Sequence, residues 1–210
     1  KGRDAFDQIL NGSYQNRPNN QLFKALLTNN DFCQQFVITM MDLYNLNFHP
    51  DSCLTKLDTI ADIYRPLMAD YIKRFGGSSS TFENRVNNAR KYLTDIRAAM
   101  TNDYLPTYFG GYSGISNLGV TAGNLYNVTI STTGVSGASI KINTVTPSLA
   151  SGNWTGKYYS AIPVTVTASA PPGGYEFDGW TVTGGTAVDP SALTTTVNFT
   201  GNVQITANYK

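Results

Sequence analysis

Apolar residues in the first half of the chain recur at the spacing of an α-helix. Between residues 32 and 44 they fall three or four positions apart, and a longer stripe follows over residues 54–75. Residues at this spacing share one helix face, so each stripe predicts a face that packs on a core. Pro66 predicts a break in the second helix, because proline lacks the N–H that the helical hydrogen bond needs. The pair Gly76-Gly77 predicts where that helix ends.

A further helix is predicted to start at the serines that follow. Ser80 and Glu83 have the spacing of a capping box in which Ser80 is the N-cap. Apolar positions from Phe82 to Met100 then step by alternating intervals of four and three residues. A coiled coil would need this pattern over more heptads, so a packed helix is the favoured interpretation.

Residues after 120 alternate between apolar and polar side chains instead. Segments such as Val164–Ala168 and Val203–Tyr209 place an apolar residue at every second position, with polar residues between them. This pattern is typical of antiparallel strands with one face in water. Turns rich in glycine and proline separate the segments, for example at Pro171–Gly174. Six or seven short strands are therefore predicted, arranged as a small sandwich or an open barrel.

The density of charged residues changes at the same place. Residues 1–110 contain 23 charged side chains, whereas residues 111–210 contain 6. The predicted fold class is α+β in two domains, with an all-α helical domain over residues 1–110 and a small all-β, sandwich-like, antiparallel module over residues 120–210. Residues 111–119 begin with Gly-Tyr-Ser-Gly and are predicted to be the linker.

Composition excludes several function classes. The net charge is +1, so the chain has no electrostatic attraction for nucleic acid. No apolar run approaches the ~18 residues that span a bilayer. One histidine and two cysteines exclude a Cys/His zinc cage built from this chain alone. We expect Cys33 and Cys53 to be free thiols, because the helices that they open place them at opposite ends of an antiparallel pair.

The residues that could carry catalysis have simpler structural interpretations. His49 precedes a proline-initiated helix and is expected to close the turn before it. Asp4 and Asp7 could share a helix face as metal ligands, but such pairs are mostly solvated surface charge. No serine lies in a Gly-x-Ser-x-Gly elbow, and no glycine-rich loop carries the Lys-Ser/Thr of a phosphate site. The sequence therefore assigns no catalytic, cofactor-binding or metal-binding residue.

Three aromatic residues are candidates for stacking on carbohydrate. Trp154, Tyr158 and Tyr159 lie in a glycine-flanked stretch of the β half. Exposed rings there could stack on sugar rings, whereas buried rings would belong to the core.

Trp180 is predicted to lie inside the β half. Strict alternation from Phe177 would turn Trp180 outward, which is costly for so large an apolar side chain. We therefore predict a bulge or bend at Asp178–Gly179, because one extra residue reverses the alternation and glycine suits the backbone angles that a bulge needs.

Several ordered segments of the first half resemble the CotH (spore-coat protein H) kinase family. The resemblance covers about residues 20–110, and it is carried by Asn20–Phe32, Phe36–Phe48, Tyr71–Phe75, Tyr92–Arg97 and Met100–Gly110. Proteins of this family are atypical, secreted or spore-surface protein kinases whose ATP and Mg²⁺ residues lie upstream of the matched segments. The resemblance implies the C-terminal part of such a protein, without the family's catalytic residues. ATP and Mg²⁺ are expected only for an intact family member, which would phosphorylate protein Ser/Thr.

The second half resembles a bacterial surface module of the InlB B-repeat type. The pattern Gly-Tyr-x-Phe-x-Gly-Trp over Gly174–Trp180 carries the resemblance. It is supported by Ile140–Thr144, Trp154–Tyr159, Pro163–Ala168 and Val203–Tyr209. The resemblance implies a β spacer or adhesion module at a cell surface.

The leading hypothesis combines the two resemblances. The chain would be a C-terminal fragment of a secreted or surface bacterial CotH-like kinase, non-catalytic by itself, with a helical support and a β spacer or adhesion module. The alternatives are a non-enzymatic extracellular module that binds polysaccharide or cell wall, and a structural coat or scaffold protein. Expected partners are the missing N-terminal part of its own domain and a cell-wall or polysaccharide surface, without nucleic acid or a membrane span. The expected location is outside the cell or on its surface, in a spore coat or an extracellular complex.

Overall fold

The computed structural model describes residues 9, 14, 16–105, 122–171 and 173–210, apart from the side chains of residues 103 and 104. Helices occupy the N-terminal part and strands the C-terminal part, which confirms the α+β prediction. The predicted linker 111–119 and the acidic pair Asp4 and Asp7 lie outside the described residues. The domain bounds at 110 and 120 therefore stay predictions.

Five α-helices form the described N-terminal part. They span Pro18–Leu26 (α1), Asn30–Asp42 (α2), Pro50–Tyr64 (α3), Met68–Phe75 (α4) and Ser79–Ala99 (α5). π-helical turns continue α2 over Leu43–Asn47 and α5 over Met100–Tyr104. A 3-10 turn at Arg65–Leu67 joins α3 to α4, and this turn confirms the predicted break at Pro66.

The start of α5 differs from the prediction. Ser78 is the N-cap, and its hydroxyl accepts a hydrogen bond from the Thr81 N–H at 3.2 Å. Ser80 lies inside the first turn instead, and Glu83 accepts a hydrogen bond from Arg65 at 2.7 Å. Each of three consecutive serines is a competent cap. The two glycines before them have positive φ and let the chain turn early, so the helix gains residues at its N-terminus.

The described residues group into two compact units. Residues 41–105 form one, called here the helical unit, while the described parts of 16–40 and 122–210 belong to the other. In the helical unit α3 packs along α5, and Asp58 of α3 forms an ion pair with Arg90 of α5. Ala61 and Val86 supply buried apolar side chains on these two helices.

Six strands form one sheet in the C-terminal part, whose described residues within 122–210 are called here the β module. They span Leu125–Thr133 (β1), Ile140–Ile142 (β2), Asn153–Tyr159 (β3), Val164–Ala168 (β4), Phe177–Ala187 (β5) and Thr194–Tyr209 (β6). The long strand β6 is the centre of the sheet. β5 follows one edge of β6, and β4 and β1 share the other edge. β2 and β3 extend the sheet beyond β4 and β1.

One strand pair departs from the antiparallel prediction. β1 and β6 are parallel, with Val128 opposite Val203 and Thr133 opposite Asn208, while the other named pairs are antiparallel. Side chains alternate between the two faces of a strand whatever the direction of its neighbour, so sequence periodicity cannot distinguish the two arrangements. The sheet is therefore mixed.

The core of the β module lies on the inner face of this sheet. β6 alternates along its whole length, with every odd-numbered position from 195 to 209 buried except the half-buried Gly201. Four side chains on these strands have 0% of their surface exposed to solvent: Val128, Ile130, Val166 and Ile205. The predicted alternation is confirmed, and it supplies a dry apolar face on the central strands.

The predicted bulge occurs at Gly179. The register advances by two residues in β5 and by one in β6 between Phe177 and Gly179, and Gly179 has φ +105°. As a result Trp180 turns inward and is buried, and its Nε1–H donates to the Ala192 carbonyl at 2.8 Å. The Trp180 ring meets Phe177 edge to face at 5.5 Å between centroids. Both parts of the prediction, the bulge and the buried ring, are confirmed.

Candidate functional site

Trp154 is the one sugar-stacking candidate that keeps access to solvent. It lies opposite Ile130 in the β1–β3 register, so its side chain projects to the core side of the sheet. β3 is an edge strand, and the ring is half-buried there rather than enclosed. A Cβ atom on Gly156 would overlap the six-membered ring of Trp154. The ring therefore lies across the glycine, which leaves room for it on the strand.

Tyr158 and Tyr159 have no exposed ring face. Their side chains are 2% and 3% exposed, and a ring that solvent cannot reach offers no surface to a sugar. Tyr158 pairs with Tyr126 on the core face, next to the end of β3. Two consecutive buried positions are not a feature of simple alternation, so the burial of both tyrosines has no signal in the glycine-flanked stretch that grouped them with Trp154.

The outer face of the β module is polar and nearly uncharged. Its hydroxyl groups bond to one another between strands, with Thr129 to Thr155 at 2.9 Å and Thr167 to Thr194 at 3.0 Å. The six strands together carry only three charged side chains, Lys141, Lys157 and Asp178. The strands of this face therefore present few charges to an ionic ligand.

A buried polar cluster connects the two π-helical turns of the helical unit. Tyr44, in the first turn, and Thr101, in the second, are hydrogen-bonded through their hydroxyls at 2.6 Å. Thr101 donates its own hydrogen to the Arg97 carbonyl at 2.9 Å, so the Tyr44 hydroxyl is the donor of the shared bond. The Arg97 guanidinium lies 3.3 Å from the centroid of the Tyr44 ring and donates to the Tyr44 carbonyl.

Burial changes the pKa of the arginine in this cluster. Desolvation lowers the pKa of Arg97 below its ordinary value, while the Tyr44 hydroxyl acts in the opposite direction. Asp42 and Asn45 are also buried in this segment, and both have bonding partners. Helical periodicity does not predict this cluster. The one sign of the cluster in the sequence is the presence of polar residues within an otherwise apolar helical stripe. π-helical turns are frequent at functional sites, but they have no simple periodicity by which a sequence would reveal them.

A stripe of large apolar side chains lies open on α3 and α4. Its members follow helical spacing and each exposes more than half of its surface: Ile60, Ile63, Tyr64, Leu67, Tyr71 and Phe75. We call this the α3–α4 stripe. The centroids of the Tyr71 and Phe75 rings lie 5.1 Å apart. Beside the stripe, a groove of about 330 Å³ is lined by α4, by Gly76-Gly77 and by the first turns of α5.

The candidates for nucleophilic or acid–base chemistry lie apart from these surfaces. His49 is the N-cap residue of α3, as expected for a residue that closes the preceding turn, and its Nδ1 lies 3.6 Å from Asp51. Both cysteines are thiols rather than halves of a disulfide, which confirms that prediction. Cys33 donates to the Leu27 carbonyl at 2.8 Å, and burial raises the pKa of its thiol. Cys53 is half-buried and donates to the Asn47 carbonyl at 3.0 Å.

Among residues 16–105, 122–171 and 173–210, no three His, Cys, Asp or Glu side chains converge as metal ligands do. In the same part of the chain, no helix has the length and apolar character needed to cross a membrane.

Comparison with known proteins identifies a similarity for the β module. The family model of the divergent InlB B-repeat domain matches residues 138–210, which contain β2 to β6. β1 lies before the matched range, although it pairs with both β3 and β6. No curated protein and no solved structure matches the chain. The C-terminal part is thus similar to a bacterial B-repeat domain, and the resemblance to the CotH family rests on the sequence segments alone.

Proposed function

We propose that the chain belongs to an extracellular bacterial protein in which the β module is a surface spacer. The observation that carries this proposal is the B-repeat similarity of residues 138–210, which coincides with a sheet that buries its own apolar face. A spacer must fold without help from its neighbours and must expose a surface that attracts few other molecules. The paired threonines and the scarcity of charge on the outer face meet the second requirement.

Surface location is tested on intact cells of the source bacterium. An antibody raised against the chain reports whether protease added outside the cells removes the protein. We expect complete loss of signal on intact cells, while a cytoplasmic control protein survives. Survival of the chain until the cells are lysed would contradict a surface location.

An adhesion module binds a ligand, whereas a spacer does not. Trp154 is the residue of the β module whose ring is available to such a ligand. Its half-buried position at the edge strand makes it the remaining stacking candidate. Sedimentation of the purified chain with insoluble peptidoglycan, cellulose and chitin separates the two roles. A spacer shows no saturable binding. Saturable binding that Trp154→Ala removes, but that the exposed-site control Val188→Ala retains, would replace the spacer by an adhesion module.

We propose a supporting role for the helical unit, in a protein of the CotH type. The exposed α3–α4 stripe supports this proposal, because six large apolar side chains exposed along two consecutive helices and the turn between them are typical of a surface that another body covers. A kinase-like lobe would be that body. The chain itself would lack the phosphate-binding lysine and metal-binding carboxylates that phosphoryl transfer requires.

Two measurements test the supporting role. Calorimetry of the purified chain with Mg-ATP should show no binding. The encoding reading frame should contain an upstream segment with a phosphate-binding lysine and metal-binding carboxylates. Saturable ATP binding by the chain alone, abolished by replacing one of its own carboxylates, would contradict the proposal, as would a reading frame without such a segment.

A further inference from the structure

The first and last strands of the β module lie side by side and parallel. The ladder between β1 and β6 runs from Val128 opposite Val203 to Thr133 opposite Asn208. At ~3.3 Å per residue this ladder is about 17 Å long. The chain enters the module at the start of β1 and leaves it at the end of β6. Entry and exit therefore lie at opposite ends of one continuous ladder.

This arrangement determines how tension along the chain acts on the sheet. Pulling the entry and exit points apart draws β1 backward and β6 forward, so the two strands must slide along each other. The inter-strand hydrogen bonds are evenly spaced in a parallel pair, and sliding loads all of them at once. Pulling on the same end of both strands would instead open the bonds one after another, each carrying the load alone.

Side chains add further links across the same ladder. Ser131 and Thr206 are hydrogen-bonded at 3.0 Å, and the Thr133 hydroxyl donates to Asn208 Oδ1 at 2.9 Å. The Asn127 N–H donates to Asn202 Oδ1 at 3.0 Å just before the ladder begins.

On the other face of the ladder, Val128, Ile130, Val203 and Ile205 are at most 1% exposed. Water that could replace the inter-strand hydrogen bonds is therefore excluded from one side of the ladder.

The strand that takes up the load is held on both edges. β5 pairs with β6 along the edge opposite β1, from Ala187 opposite Val197 to Phe177 opposite Tyr209. At the exit the Lys210 N–H donates to the Glu176 carbonyl at 3.0 Å, and the Glu176 N–H donates to the Lys210 carbonyl at 2.7 Å. β6 cannot separate from β5 at this end without breaking these two hydrogen bonds.

We infer that the β1–β6 pair is a shear clamp, which enables the β module to resist tension applied between its two ends. The inference deepens the spacer function and rests on it for its biological meaning, since a surface spacer carries the force between a cell and whatever the protein holds. The clamp itself is a property of the purified chain. A failed clamp test would leave the protease test of surface location unaffected, and the reverse also holds.

Single-molecule force spectroscopy of the full chain in two pulling directions tests the clamp. Cys33→Ser and Cys53→Ser remove the native thiols while retaining a hydroxyl donor at each position. One handle is attached through a tag added after Lys210. The other is attached at Asn124→Cys, before β1, or at Ser136→Cys, after β1. Both sites are exposed, so the two variants differ in the direction of load on the same ladder.

The clamp predicts a several-fold higher rupture force from position 124 than from position 136 at the same pulling speed. Equal thermal unfolding midpoints in the two variants establish that only the direction of load differs. Ser131→Ala with Thr133→Ala should lower the force measured from position 124 and leave the force measured from position 136 nearly unchanged. Equal forces in the two directions, or rupture from position 124 at the lower force, would overturn the inference.

Discussion

The β module buries large apolar side chains on its central strands, whereas the helical unit leaves a stripe of them exposed. On the central strands of the β module, Ile130 and Ile205 are 0% exposed. On the helical unit, Leu67 and Phe75 are 55% and 71% exposed, within a stripe of similar neighbours. Both regions have amphipathic elements, so the difference lies in what covers them. The sheet supplies its own cover, whereas the α3–α4 stripe has none within the helical unit.

The difference follows from the geometry of the two kinds of element. Strand β6 is flanked on both edges by strands that are distant in sequence or adjacent to it, and the residues of its inner face are buried. α3 has apolar residues on two sides, and packing along α5 covers one of them. A fold completed by its own strands is suited to independent existence, while a helix with a second apolar side is suited to docking.

The largest stability effect is expected where the β core depends on a single aromatic side chain. Trp180→Ala should lower the free energy of unfolding of the β module by ~3–5 kcal/mol, because it empties a buried aromatic site. It also leaves the Ala192 carbonyl without its donor. Urea unfolding followed by circular dichroism measures the change. Trp154→Ala is the matched control and should cost clearly less, since its ring is only half-buried. Equal losses would show that the core does not depend on Trp180.

Substitutions at two glycines distinguish the cost of lost close packing from the cost of backbone strain. Gly134 and Gly137 both have φ +84°, but a Cβ on Gly134 would overlap the Tyr209 carbonyl oxygen, whereas a Cβ on Gly137 meets nothing. Gly137→Ala should cost about 1–2 kcal/mol from the left-handed backbone alone. Gly134→Ala should cost more, because it also pushes β1 away from the end of β6. Equal costs in urea unfolding would contradict tight packing at this end of the clamp.

The buried polar cluster of the helical unit should have a smaller effect. Tyr44→Phe removes the hydroxyl that bonds to Thr101 and should cost about 1 kcal/mol, the usual value for one hydrogen bond. Tyr92→Phe makes the same chemical change at a tyrosine that is 62% exposed and should be close to neutral. Thermal unfolding of the two variants distinguishes them. A neutral Tyr44→Phe would mean that the hydroxyl adds nothing to the contact between the π-helical turns.

The smallest stability effect is expected on the α3–α4 stripe. Leu67→Gln with Phe75→Gln should change the free energy of unfolding by no more than about 0.5 kcal/mol, because both side chains are already in solvent. The same variant should reduce binding of the fluorescent probe ANS. Val188→Gln, at an isolated exposed valine of the β module, should not. A large loss of stability would show that the stripe is already covered within the chain.

Sequence periodicity predicted the elements well, because it reports which side of an element is buried. Pro66 itself located the break between α3 and α4, and the conflict between alternation and the size of Trp180 located the bulge at Gly179. These successes share a cause, since proline, glycine and tryptophan each restrict the local backbone or its burial strongly.

The features that sequence reasoning missed depend on partners distant in the chain. The direction of β6 relative to β1 leaves alternation unchanged, so the parallel pair has no sequence signal. The hydrogen bond from Tyr44 to Thr101 joins residues 57 positions apart. The burial of Tyr159 likewise depends on the fold around it, and the capping serine was one of three equivalent choices.

Native-state hydrogen exchange of the full chain tests most directly whether the β module is complete in itself. Exchange is followed in increasing urea below the main unfolding transition, and each protected amide is assigned an opening free energy. If the β module is complete in itself, β1 and β6 amides share one high opening free energy, and α3 and α4 exchange through separate openings of lower free energy. A single opening free energy common to both regions, or lower protection in β6 than in α3, would contradict the independence of the β module.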